Sequence, residues 1–518
     1  MNRLQTYYEQ LQLPVKSLFF GSFLIAIGSL IANPYINSIL KLDNATLVTI
    51  SQILMSCGGI ILTYFPVYVF IKLLSHQKNE TNIVVAGIIS YLMFLVTMVF
   101  LTPSTSPEAS YISSLTIMLN GKQLHVYRTG IFGLVAIFFL MRFIYRKTSQ
   151  KRNIANLSYV DRETTRLVSS LVGGAVIGAL FAFGWPYIID SLYGMMEFIS
   201  NDVNNPMSLF AYGALERLLA LSNLDSILHQ EFWLNTLGGT WMNLAGQTFV
   251  GDVNIWAAQL QETVNSFGAG RFTSAYYVLN IFAVPGYFMA ISSTISNKKV
   301  RNVNIPVLFA AIAVSMISGV LLPVEILMLL TSPTIYFFHL FMTSFIYAIL
   351  SGFSVALGFS YFGSLMSASP GNIIDLLGIT GKSVLISKVL ILVLVGVIVF
   401  VAYFAFTRFY FEKIALDVLN VTNKKERINE FAEGLGGYEN IESVSSTLTR
   451  IHAIITDRDA LNVASLHRQG VTRIVETRQG FVISLGSAAF MTQKAINKEL
   501  KRLKALEVVQ EVDTNETQ

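Results

Sequence analysis

The sequence predicts a polytopic α-helical membrane protein carrying a small C-terminal α/β domain. Three observations lead there. The 518 residues are 53% hydrophobic and only 13% charged, and the mean hydropathy is +0.57. Apolar runs of about 20 residues, the length a spanning helix needs, recur along the first four-fifths of the chain. After about Glu412 the composition turns charged and polar.

The runs fall at about 17–37, 49–73, 82–102, 129–145, 168–190, 272–294, 305–330, 334–362 and 382–411. Together they predict about ten spans with re-entrant hairpins. Basic residues mark the sidedness. Arg142, Arg146, Lys147, Lys151 and Arg152 form one loop, Asn297 to Asn302 a second, and Lys424, Lys425 and Arg427 follow the last run. By the positive-inside rule these face the cytoplasm, with both termini inside, and the loops at 38–48 and 103–122 face outside. The net charge of +5 thus marks topology and not a nucleic-acid surface. Residues 191–270 mix short apolar pieces with Asn, Gly, His, Trp and acids, as expected of amphipathic and re-entrant pieces folded into a cavity.

Cys57 is the lone cysteine. A disulfide within the chain and a cysteine-based metal cluster are therefore excluded, and Cys57 reads as a small helix-packing residue. The sequence calls for no cofactor and no metal.

The stretch Gly319-Val-Leu-Leu-Pro-Val-Glu325 stands out. Proline cannot donate a backbone N–H, so the helix ladder is expected to break at Pro323. A carboxylate at membrane depth costs about 3 kcal/mol on insertion scales and by default marks a solute site. Between the basic residues at 298–301 and the basic tail the number of crossings must be even, yet three runs are visible. One run must return partway, and Pro323 and Pro333 place that break in the first.

The C-terminal part divides into a linker at 413–426, a small α/β sandwich at 427–503 and a polar, acidic tail at 504–518 expected to be disordered. Within the sandwich, a helix from Ile428 stops at Gly436-Gly437, a strand covers Thr447–Ile455, and a helix runs from Ala460 to His467. Strands at Arg473–Glu476 and Phe481–Leu485 precede a last helix from about Ala488 to Leu503.

Several segments in order resemble the glucose/maltose/N-acetylglucosamine superfamily of phosphotransferase-system (PTS) sugar permeases, a IIC membrane domain fused to a IIB domain. They are Leu11-Gln-Leu-Pro-Val15, Leu228-His-Gln230, Gly239-Thr-Trp-Met-Asn243 with Gly246 and Gly251-Asp252, Gly268-Ala-Gly-Arg-Phe-Thr-Ser274 leading into Val284-Pro-Gly286, the 319–325 stretch, Leu435-Gly-Gly-Tyr-Glu-Asn-Ile441, and Thr449-Arg450. The resemblance implies a IIC-type domain at 1–412 and a IIB-like unit at 427–503, a homodimer in the bacterial cytoplasmic membrane, and IIA or IIB proteins as partners in trans. It also implies a hexose, glucosyl disaccharide or amino sugar as substrate, met by Glu325, His229 and Asn243. Arg271 would hold the adjoining hairpin to the next span.

The sequence departs from that pattern. The family's first sugar-loop carboxylate falls on Leu322, and its phosphocysteine on Thr447, whose hydroxyl is not ionised near neutral pH. The second active-site Arg falls on His452, leaving Thr447, Arg450 and His452 as a degenerate phosphorelay site. Two functions follow: a sugar-translocating component without its own relay, or a homologue that senses sugar and regulates. In either case sugar binding is expected to be weak, since Leu322 cannot hydrogen-bond a hydroxyl.

Overall fold

A computed structural model describes residues 2–33, 36, 45–75, 81–102, 110–119, 122–148, 162–262, 264, 267–294, 298–359, 370–414, 424–447 and 449–515. The loop read at 38–48, the basic residues Lys151 and Arg152 and the linker at 413–426 lie wholly or largely outside them.

Seven helices among the described residues are long and apolar enough to cross a membrane, and three shorter apolar helices accompany them. The chain is a polytopic helical membrane protein. α1 (Asn2–Ala32) runs through Pro14 and packs along α2 (Ala45–Thr63). The apolar run at 49–73 is in fact two helices, because the chain breaks at Tyr64 before α3 (Phe65–Ser75). Cys57 is exposed, and the buried residues of α2 are Ser51, Met55 and Gly58, so it is not the packing residue expected.

α4 (Thr81–Leu101) is followed by an antiparallel hairpin, β1 (Ile112–Leu119) and β2 (Lys122–Tyr127), inside what reads as a polar loop. α5 (Gly130–Thr148) and α6 (Arg162–Ser200) come next. At 39 residues α6 is about 58 Å long, roughly twice the hydrocarbon thickness. The run at 168–190 is only its middle.

The mixed stretch then resolves into α7 (Pro206–Ser222), α8 (Asp225–His229) with a π turn at Gln230–Leu234, a short hairpin β3 (Thr240–Met242) and β4 (Thr248–Val250), and α9 (Asp252–Gln261). α10 (Ser274–Thr294) carries a π-bulge at Leu279–Ala283.

The 305–330 run is divided, though not at Pro323. α11 (Lys298–Ser318) ends before Gly319, which takes φ +70°. α12 (Leu322–Thr331) has Pro323 in its first turn, and α13 (Pro333–Gly352) begins on the second proline. Both prolines sit where a helix needs no N–H from them. The break falls upstream, on the glycine able to adopt a left-handed conformation. At about 15 Å, α12 is too short to cross. The backbone carbonyl freed by the break is answered from the π-bulge: Asn280 Nδ2 donates to the Gly319 carbonyl at 3.1 Å, and Ser315 Oγ donates to Asn280 Oδ1 at 2.8 Å.

A second irregular pair lies beside it. Residues 267–273 pack against the non-helical 355–359, where Leu357 N donates to the Gly270 carbonyl at 3.1 Å and Tyr277 OH to the Gly358 carbonyl at 2.8 Å. Both segments are largely buried, the condition under which irregular backbone survives at membrane depth. α14 (Ile373–Ile379) and α15 (Ile386–Phe409), which ends in a π turn at Tyr410–Ile414, close the membrane part.

The C-terminal unit is one antiparallel sheet in the order β5-β6-β8-β7 with helices packed on it. It comprises α16 (Lys424–Gly434), β5 (Ile441–Ser446), β6 (Arg450–Ile455), α17 (Val463–Arg468), β7 (Arg473–Thr477), β8 (Gly480–Ser484) and α18 (Ala489–Asn515). Two expectations change here. The strand expected from Thr447 starts at Arg450, so Thr447 lies in the β5–β6 turn. The tail expected to be disordered from 504 is helical through Asn515. α18 packs on the π turn at Tyr410–Ile414, and Phe490 joins the membrane core.

Candidate functional site in the membrane core

Four helices bring charged side chains together where none would survive alone. α7 carries adjacent Glu216 and Arg217 as its charged residues, α12 brings Glu325, and α13 brings His339. All four are buried, the two carboxylates at 0% and 1% exposure. α8 ends on His229, whose ring stacks on Trp233 one turn later at 3.8 Å.

The contacts form a connected nest. Arg217 Nη1 donates to Glu325 Oε1 at 2.5 Å, and its Nη2 lies 3.1 Å from Glu216 Oε2. Tyr276 OH accepts from Arg217 Nη2 at 2.8 Å and donates to Glu216 Oε1 at 2.6 Å. His229 Nε2 is 3.1 Å from Glu216 Oε1. Tyr347 OH lies 3.0 Å from Glu216 Oε2, and Tyr336 OH donates to the Arg217 carbonyl at 2.7 Å. On the far side of Glu325, His339 Nε2 is 3.0 Å from Oε1 and its Nδ1 is 2.8 Å from Tyr403 OH on α15.

Two atoms in this nest have no partner among the described residues: Glu325 Oε2, an acceptor, and Arg217 Nε, a donor. Leaving such a group buried and unmet costs about 1–3 kcal/mol, more when it is charged. A free acceptor and a free donor on one ion pair suit a hydroxyl-bearing solute, since a hydroxyl both gives and accepts.

Of the residues singled out from the sequence, Glu325 and His229 meet in this nest through Arg217 and Glu216. Asn243 does not. Its side chain is spent on Gln247 and Glu262 and on the amides of Ala245 and Gln247, closing the β3–β4 turn. Leu322 opens α12, three residues before Glu325. Arg271 is half-buried in the turn before α10. In the C-terminal sheet, Thr447 N donates to the Arg450 carbonyl at 2.8 Å, and the Thr447 hydroxyl reaches the same oxygen at 3.4 Å. His452 pairs with Ser445 and Val482 in the strand register.

Sequence reasoning missed Glu216, Arg217 and His339. The signal was present. A Glu-Arg pair inside an apolar 17-residue segment, and a single His within α13, are the charged intramembrane residues that mark function by default.

The chain matches the family model for the phosphotransferase system EIIC over residues 9–344. The match contains Glu216, Arg217, His229, Tyr276, Glu325 and His339, while Tyr347 and Tyr403 lie beyond it. With a match over well over half its length, the chain belongs to the phosphotransferase-system EIIC family, the membrane components of PTS sugar transport.

Proposed function

We propose that this chain binds a sugar at the Arg217–Glu325 pair and carries it across the bacterial cytoplasmic membrane, without a phosphorelay site of its own. The supporting observation is the buried ion pair that keeps one acceptor and one donor unmet inside the helical core. Binding would hydrogen-bond one sugar hydroxyl to Glu325 Oε2 and Arg217 Nε, with the His229–Trp233 stack offering an aromatic face for the ring. The substrate class is a hexose, a glucosyl disaccharide or an amino sugar. With Leu322 in place of a second acceptor, affinity is modest. The membrane part, 1–412, is the IIC-type domain, dimeric and with both termini cytoplasmic. The unit at 427–503 is IIB-like.

Loss of the relay rests on chemistry. Thr447 donates to a backbone carbonyl and has no base among its described contacts, and Cys57, the lone thiol, sits on α2 in the membrane part. Phosphorylation of the transported sugar then depends on a IIB protein in trans. Phosphoenolpyruvate-dependent phosphorylation, measured in membranes holding this chain and the general PTS components, tests this. No phosphosugar forms unless a separate IIB is added, whereas phosphosugar from this chain alone would refute the reading. A second reading, a sensor that regulates through the C-terminal sheet, draws on the combined changes at Leu322, Thr447 and His452. Sugar counterflow in proteoliposomes decides between the two: exchange supports the transporter, and binding without exchange supports the sensor.

A further inference from the structure

The Arg217–Glu325 pair is assembled from two sides, and one neutral side chain touches both. Tyr276 reaches Arg217 and Glu216 from α10, while Glu325 reaches Arg217 from α12. Asn280 lies one turn after Tyr276, inside the π-bulge of α10, and is fully buried. We infer that Asn280 is a positioning residue for the sugar site, an assignment that rests on the sugar reading above. Its amide fixes the start of α12 against the Tyr276 turn and so sets where Glu325 meets Arg217.

The amide uses both of its donors and its acceptor. Nδ2 donates to the Tyr276 carbonyl and to the Gly319 carbonyl, each at 3.1 Å, and Oδ1 accepts the Ser315 hydroxyl at 2.8 Å. Two carbonyls converging on one group call for an NH2 there, so the network itself sets which way the amide points. Ser315, buried in the last turn of α11, holds the oxygen end and keeps the amide from turning.

Among the described residues, the segment so held has no other hydrogen bond to a neighbouring helix. The remaining bonds of 319–321 stay within 315–325: Gly319 N donates to the Ser315 carbonyl, Val320 N to Ser318 Oγ, and the Leu321 carbonyl accepts from Val324 and Glu325. The anchor at Gly319 therefore passes to Glu325 through one short run of backbone. A pair that must keep one oxygen and one nitrogen turned to a solute needs its side chains held to about 0.5 Å. A buried Asn at a helix break often does no more than satisfy the freed carbonyl. Here it also takes the carbonyl of the residue whose hydroxyl binds Arg217, and it does so from a π-bulge, a feature common at functional sites.

The test measures sugar affinity and thermal stability in the purified full chain, with labelled glucose, maltose and N-acetylglucosamine as probes. Wild type is compared with Asn280→Leu, which keeps a branched side chain and removes the donors, and with Ser315→Ala, which frees the oxygen end. The sugar that binds the wild type should bind Asn280→Leu at least about tenfold more weakly and Ser315→Ala about threefold more weakly. In proteoliposome counterflow KM should rise by the same factors while the maximal rate holds within about twofold. A merely structural amide would lower the melting temperature and leave the affinity of the folded protein alone. Unchanged affinity in folded Asn280→Leu overturns the assignment, and so, should that variant not fold, does unchanged affinity in Ser315→Ala. If none of the three sugars binds the wild type, the sugar reading falls and the positioning role with it. Binding that Glu325→Gln abolishes and Asn280→Leu leaves untouched removes the positioning role alone.

Discussion

Two polar clusters of this chain are built on opposite terms. In the membrane core, Glu216, Arg217, Glu325 and His339 come from three helices and are buried almost completely, each reaching a charged or aromatic partner. In the C-terminal sheet, Thr447, Arg450 and His452 lie within six residues on one turn and strand, and Thr447 hydrogen-bonds within its own hairpin. The first cluster cannot exist unless several helices position it, and it keeps unmet atoms that a ligand could satisfy. The second would sit where it does in any well-formed hairpin. Convergence from distant elements onto buried, unmet atoms is what separates the first cluster from the second.

The sharpest way to break the contrast is to remove one group from each. Arg217→Met leaves two buried carboxylates facing each other and should destabilise the membrane part by about 3–5 kcal/mol. Thr447→Val removes one long hydroxyl contact and should cost less than about 1 kcal/mol. Thermal unfolding in detergent reads both, and equal losses would erase the distinction.

A smaller effect is expected at the seam beneath the nest. Gly270 holds φ +97°, and a Cβ there would stand 2.2 Å from Gly358 N. Gly270→Ala should cost about 1–3 kcal/mol and loosen the 267–273 and 355–359 segments together. Raised hydrogen exchange at both segments, and not at the hairpin of β3 and β4, would bear this out.

The smallest lies in the sheet. Burial first, and the nearby Arg450 second, hold the His452 imidazole below its ordinary value of 6.5. The native unit therefore binds fewer protons than the unfolded chain in acid. Its contribution is complete above that value and is lost as pH falls through and below it. Exchange protection of the β6 amides should fall on acidification, and less so in His452→Gln.

Much of the helical membrane architecture was legible because apolar length is a coarse signal that tertiary packing rarely overrides. Glu325 was legible as a charge out of place, and His229 only through the family resemblance of its segment. Glu216 and Arg217 were hidden because α7, at 17 residues, is shorter than a standard span and sits in a stretch of mixed composition. His339 was hidden inside a run that read simply as apolar. The break in the 305–330 run was foreseen, but it was set by Gly319 and the Asn280 side chain 39 residues away, a partner that local pattern cannot supply. Asn243 stands apart from the nest for a local reason: an Asn in a Gly-rich hairpin is engaged by its own turn.

The central claim is that the Arg217–Glu325 pair is where a sugar docks. Equilibrium binding of labelled glucose, maltose and N-acetylglucosamine to the purified full chain tests it directly, with Glu325→Gln and Asn243→Ala in parallel. The account predicts that at least one sugar binds the wild type, that Glu325→Gln abolishes the binding, and that Asn243→Ala leaves it within a few-fold. Binding that survives Glu325→Gln unchanged, or no binding by the wild type to any of the three, would contradict it.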